Sequence, residues 1–129
     1  MARNDYHYND TVLAHIAEPH NVGKIEDAEA IGRGFNPACG DEVTLYLKFD
    51  GDAVSDAKIE IIGCGALTAL MSSLTDLVKG KPIKELEEIS AEDIAASIRG
   101  LPSHKRHCAQ LARRVLQSTL QDRRSKAGE

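Results

Sequence analysis

Between residues 42 and 50 apolar and polar side chains alternate, with Val43, Leu45, Leu47 and Phe49 on one face and Thr44, Tyr46 and Lys48 on the other. That period of two is the mark of a half-buried strand. Asp50-Gly51-Asp52 supplies a turn, and residues 54–62 alternate again with Ala57, Ile59 and Ile61 facing one way, which predicts an antiparallel hairpin. Residues 29–33 can add a third strand. After Cys64 the period changes: Leu67, Leu70, Met71, Leu74, Leu77 and Val78 recur at helical spacing and stop before Gly80. Further helices are predicted at 9–18, ended by Pro19, at 91–98 with Ser90 as N-cap and Asp93 three residues on, and at about 104–122 with Ser103 as cap. In the last, Cys108, Leu111, Ala112, Val115 and Thr119 form one stripe, and a polar tail is expected from about residue 123. The class is α+β: a small antiparallel sheet of about three strands with helices packed against it, one domain over 1–129.

Aromatic residues make up only 4% of the chain and tryptophan is absent, so the core is aliphatic. A formal net charge of -4 argues against a general phosphate-binding surface, and no nucleic-acid partner is expected. Basic residues do gather after Lys105, a pattern that is most often a solvated helix face. No stretch approaches the length of a membrane span, and the opening MARNDYHYND has no apolar core of the signal-peptide kind. A cytoplasmic location without membrane attachment is expected. Three cysteines in such a chain point to reduced thiols rather than a disulfide framework.

Each cysteine has an unusual setting. Cys39 lies in Asn36-Pro37-Ala38-Cys39-Gly40-Asp41 just before the hairpin, Cys64 lies in Gly63-Cys64-Gly65 just after it, and Cys108 follows His107 early in the last helix. Antiparallel pairing brings the two ends of a hairpin together, so Cys39 and Cys64 are expected at one end of the sheet. The glycines leave room beside the sulfurs, and a helix start favours thiolate over thiol. Lys105, Arg106 and His107 are expected to do the same for Cys108. A lone cysteine is commonly a small buried hydrophobe. Three of them, each beside a glycine, carboxylate or histidine, suggest a metal or cluster site, completed by Asp41 or His107.

These residues carry a resemblance to the IscU family of iron–sulfur cluster scaffolds, also found as the N-terminal domain of NifU. It covers nearly the whole chain, through Pro19-His20-Asn21-Val22-Gly23, Pro37-Ala38-Cys39-Gly40-Asp41, Gly63-Cys64-Gly65, Val78-Lys79-Gly80-Lys81 and Lys105-Arg106-His107-Cys108. The resemblance implies an IscU/SufE-like fold and a scaffold, not a turnover enzyme. Such a protein takes persulfide sulfur from an IscS/NifS-like cysteine desulfurase, combines it with iron into a [2Fe–2S] cluster, and passes the cluster to acceptor proteins. It further implies Cys39, Cys64 and Cys108 as cluster cysteines, with Cys108 the sulfur acceptor. Asp41 matches a carboxylate linked with cluster lability, and His107 matches the histidine beside the last cysteine. Tyr8 falls near a tyrosine used at a protein contact.

Two departures stand out. The family's chaperone-binding L-P-P-V-K is here Leu101-Pro102-Ser103-His104-Lys105, a weak motif for an Hsp70-type chaperone, and the helix after Cys64 begins Ala66-Leu67-Thr68 without the usual serine-rich start. The alternatives are a SufU-like zinc-bound sulfur acceptor, in which zinc occupies the cluster-free site, and a structural zinc module. SufU chains carry an insertion between the second and third cysteines and usually lack the histidine, both unlike this sequence. A cysteine-nucleophile enzyme would need an oxyanion loop and an orienting partner, neither of which is recognisable.

Overall fold

The computed structural model describes residues 7–37 and 40–126. Cys39, one of the three expected cluster cysteines, lies outside them. The described chain runs α1 (Asp10–Ala17), β1 (Ala30–Asn36), β2 (Asp41–Asp50), β3 (Ala53–Ile62), α2 (Gly65–Val78), α3 (Ile83–Glu87), α4 (Ala91–Ser97), a 3-10 turn (Ser103–Lys105) and α5 (Arg106–Lys126). The strands form one antiparallel sheet in the order β1-β2-β3.

The expected hairpin is present, with Leu45 opposite Ile59 and Leu47 opposite Ala57, and a register shift between Lys48 and Phe49. Its inner residues Val43, Leu45, Leu47, Val54, Ala57 and Ile59 are buried under the helices, as the alternation requires. β1 extends three residues beyond the expected 29–33, because pairing continues from Gly34 opposite Val43 to Asn36 opposite Asp41. Gly32 and Gly34 let α5 lie directly on β1: a Cβ on Gly32 would stand 2.7 Å from the Val115 carbonyl oxygen and 2.6 Å from the Thr119 nitrogen.

The free edge of β3 is covered by the Pro-His-Asn-Val-Gly segment. The Gly23 N–H donates to the Ile59 carbonyl at 2.8 Å, and the Ile59 N–H donates to the Asn21 carbonyl at 2.9 Å. This parallel bridge removes an open strand edge. α2 is the central helix. Residues from Ala66 to Val78 are buried on nearly every side of it, since α1, α4, α5 and β3 all pack against it.

α4 begins as expected, with a reciprocal capping box between Ser90 and Asp93. The start of α5 differs. Ser103 is not its cap, because Pro102 opens a 3-10 turn over Ser103–Lys105 and the helix proper starts at Arg106. The end differs too, since α5 continues through Lys126, into the expected polar tail. Lys126 pairs with Asp122 at 3.1 Å, Arg124 pairs with Glu87, and the Arg123 guanidinium lies 4.9 Å above the Phe49 ring, so the last turn is held by side chains on both sides. No described helix is long and apolar enough to cross a membrane.

Candidate functional site

Antiparallel pairing brings the start of β2 beside the end of β3, where Glu42 opposes Ile62. Asp41 therefore meets the chain as it leaves the sheet through Gly63 and Cys64. The Cys64 N–H donates to Asp41 Oδ1 at 3.1 Å, fixing the carboxylate against the turn. Gly63 allows this approach, since a Cβ there would stand 3.0 Å from the same oxygen. Asp41 is only 2% exposed, and its Oδ2 has no hydrogen-bond partner among the described residues.

Cys64 is the N-cap of α2. Its backbone is extended (φ -71, ψ 164), and its Sγ accepts the Leu67 N–H at 3.5 Å. A cap position takes an acceptor side chain, and here a sulfur fills it at the positive end of the helix. Thr68 reinforces the turn by donating its hydroxyl to the Cys64 carbonyl at 3.0 Å. From the other side α5 brings Cys108, whose Sγ lies 3.8 Å from Cys64 Sγ and 3.6 Å from His107 Nε2. Cys64 is half-buried, Cys108 buried and His107 exposed. At 3.8 Å the sulfurs are in S–H···S contact and are not bonded to each other.

The contact couples the two thiols, and the surroundings favour the thiolate on Cys64. The Cys64 thiol is pushed down to about 6, first because Cys108 donates a hydrogen bond to it, and further by the Leu67 N–H and the charge of Lys105, against the opposing effects of burial and Asp41. Cys108 moves the other way, above the ordinary thiol range, because it donates to Cys64, is buried, and faces the Cys64 charge. This corrects the expectation that Cys108 carries the thiolate: Lys105 does favour it there, but the neighbouring sulfur and burial outweigh a single cation.

The fold thus brings together Asp41, Cys64, His107 and Cys108 of the expected site residues. Among the described residues no three His, Cys, Asp or Glu side chains are gathered closely enough to hold an ion by themselves. The donor types nonetheless suit iron or zinc cargo: two sulfurs, and a buried carboxylate with one unpartnered oxygen. Tyr8, expected at a protein contact, is buried in the core, where its ring edge lies 3.6 Å from the Cβ position of Gly65. Sequence reasoning missed this support under the first turn of α2, made by Tyr8 and Ile16, although the glycine after Cys64 was its signal.

An α+β fold presenting paired thiols and a buried carboxylate at one sheet end carries the donor types that a small thiol-based metal-handling protein needs. The NifU-like N terminal domain model matches residues 7–129, and the chain belongs to that family. It is 40% identical over 122 residues to iron-sulfur cluster assembly scaffold protein IscU 1 of Archaeoglobus fulgidus, a match covering 95% of this chain and 80% of the relative. It is 38% identical to the scaffold protein IscU of Aquifex aeolicus over 95% of this chain and 80% of that one. Among solved structures it is similar to a putative iron-sulfur cluster assembly scaffold protein for the SUF system from Fervidobacterium islandicum AW-1, with a TM-score of 0.75 and 27% identity over 88% of this chain and 96% of that one. A NifU-like N-terminal structure from Brucella abortus, 17% identical, shares the fold with a TM-score of 0.78 over 92% of this chain and 94% of that one.

Proposed function

We propose that this chain is a scaffold on which a [2Fe–2S] cluster is assembled from iron and desulfurase-derived persulfide sulfur, and from which the cluster passes to acceptor proteins. The observation that carries this reading is the meeting of Cys64 and Cys108 at 3.8 Å beside the buried, half-unpartnered Asp41. The names of the relatives at about 40% identity support it. Cys39, Cys64 and Cys108 are the proposed sulfur ligands, Asp41 is the fourth donor, and His107 lies beside Cys108 as the competing one. Soft thiolates hold iron covalently, whereas a carboxylate oxygen is a harder and more easily displaced ligand, which suits a cluster that must leave.

Cys108 is the proposed sulfur acceptor. Its proton passes to Cys64, and its sulfur attacks the outer sulfur of the donor's persulfide. A new S–S bond forms on Cys108 as the donor's S–S bond breaks, and the donor leaves as a thiolate, with no net oxidation. An external reductant supplies whatever electrons iron oxidation does not when that sulfur becomes sulfide. The cysteine desulfurase and the acceptor proteins are the proposed partners, and the role is that of scaffold rather than turnover enzyme.

Anaerobic mixing with a cysteine desulfurase, cysteine and ferrous iron is expected to give the absorption and Mössbauer signature of a [2Fe–2S] cluster. Failure to form one while all three thiols stay free and reduced would refute the scaffold reading. Colourless protein that retains zinc under those conditions would favour the sulfur-acceptor alternative. Brief mixing with desulfurase and cysteine followed by peptide mass spectrometry is expected to place the first extra sulfur on Cys108. Early persulfide on Cys64, undiminished in Cys108→Ser, would overturn that assignment.

A further inference from the structure

Cys64 and Cys108 stand close enough to react with each other as well as with a metal. Their sulfurs are 3.8 Å apart, and a disulfide needs them only about 1.8 Å closer. The backbone at Cys64 is fixed: its N–H donates to Asp41 Oδ1 at 3.1 Å, and its carbonyl accepts the Thr68 N–H and the Thr68 hydroxyl, each at 3.0 Å. Its sulfur is held more loosely. Apart from Cys108, its hydrogen-bond partner among the described residues is the Leu67 N–H at 3.5 Å, and a thiol sulfur is a weak acceptor. Rotation about the Cys64 Cα–Cβ bond therefore moves the sulfur without disturbing the turn.

The position of the contact matters once Cys108 carries a persulfide. A thiol that attacks the outer sulfur of a persulfide takes that sulfur away as another persulfide. A thiol that attacks the inner sulfur breaks the S–S bond and releases the outer sulfur as sulfide. Here the inner sulfur is Cys108 Sγ, on a side chain 1% exposed in the first turn of α5. A thiol arriving from solution meets the outer sulfur first, whereas Cys64 Sγ already touches the inner one.

We infer that Cys64 is the resolving thiol that turns the sulfur delivered to Cys108 into sulfide, an inference that rests on the reading of Cys108 as sulfur acceptor. Cys108–S–S⁻ and Cys64–SH give Cys108–S–S–Cys64 and HS⁻. The Cys64 sulfur bonds to Cys108 Sγ, the persulfide S–S bond breaks, and its electron pair and the Cys64 proton leave with the outer sulfur. The two electrons that reduce the delivered sulfur come from the two cysteines, which end as a disulfide. A dithiol reductant then opens that disulfide by exchange and returns both thiols for the next sulfur or for iron. External electrons thus enter at the disulfide and not at the persulfide.

The test is anaerobic loading of the full chain with a cysteine desulfurase and one equivalent of cysteine, without iron or added reductant, followed by desalting. Peptide mass spectrometry locates persulfide and disulfide over time, and bimane trapping measures free sulfide. In the unmodified sequence the Cys108 persulfide is expected to decay with one sulfide released per Cys64–Cys108 disulfide formed. Cys64→Ser keeps an acceptor oxygen at the α2 cap but has no thiol, and its Cys108 persulfide should last about tenfold longer or more, because a neighbouring thiol acts as an intramolecular reagent. A persulfide that lasts no longer in Cys64→Ser, a sulfur that moves to Cys64 instead of leaving, or a disulfide that joins Cys39 to Cys108 would overturn the inference and leave the acceptor reading intact. No persulfide on Cys108 in either protein would overturn both.

Discussion

Cys64 combines three influences that its sequence neighbours alone do not contain: a thiol donor on another helix, a helix-start N–H, and a nearby lysine. Its thiolate fraction rises as pH rises through about 6, so alkylation of Cys64 in the metal-free protein should already be near its maximal rate at pH 7. Cys108→Ala removes the largest of the three and should move the midpoint upward, toward the ordinary thiol range. Rates of iodoacetamide labelling resolved by peptide mass spectrometry across pH check this, and an unmoved midpoint would remove Cys108 as the cause. Asp41 carries the second expectation at this scale. As the displaceable donor, Asp41→Ala should lengthen the lifetime of the assembled cluster in air, measured by the decay of its visible absorption. A shorter or unchanged lifetime would count against that role. Asp41, Cys64, His107 and Cys108 were all legible as candidates from their local settings. Which sulfur holds the proton was not, because that depends on a 3.8 Å contact between residues 44 apart in the chain and on burial.

Among the elements, the hairpin and α2 were legible because each repeats a strong apolar period over ten or more residues. α3 was not, since five residues beginning after Pro82 hold too little of any period to register. The bridge from Val22 to Ile59 escaped for a different reason: it joins backbone atoms distant in the chain, and side-chain pattern does not encode it. α5 lies directly on β1 at Gly32 and Gly34, and this contact yields a sharp stability prediction. A Cβ on Gly32 would stand 2.1 Å from Thr119 Oγ1 and within 2.7 Å of α5 backbone, which cannot swing aside as a flexible side-chain end can. Gly32→Ala should therefore cost about 3 kcal/mol, the upper part of the overpacking range, read from denaturant unfolding. Ser90→Ala, which breaks only the α4 capping box, should cost about 1 kcal/mol in the same measurement.

For the whole molecule, the segment Leu101 to Lys105 matters because it joins the helical layer to the thiol site. Leu101 packs partly into the core and Ser103–Lys105 are wound into a 3-10 turn, so an Hsp70-type groove that takes apolar extended chain would have to unwind it. Cluster transfer is accordingly expected to change little when such a chaperone and ATP are added, and tight binding of a peptide spanning residues 100–106 would contradict this. The basic run near the C-terminus was legible only as charge. Asp122, Glu87 and Phe49 turn it into four more residues of ordered helix. The sequence by itself determined the α+β class, the aliphatic core, the hairpin that brings Asp41 to Cys64, and the residue types able to hold soft metal, because periodicity and side-chain chemistry are local properties. Only the tertiary structure decided that the surroundings favour the thiolate on Cys64 over Cys108, that Tyr8 is a core residue, and that His15 and His20 meet at Ser72 of α2. Those outcomes rest on distances between distant residues and on exclusion of water, and both arise only when the layers close.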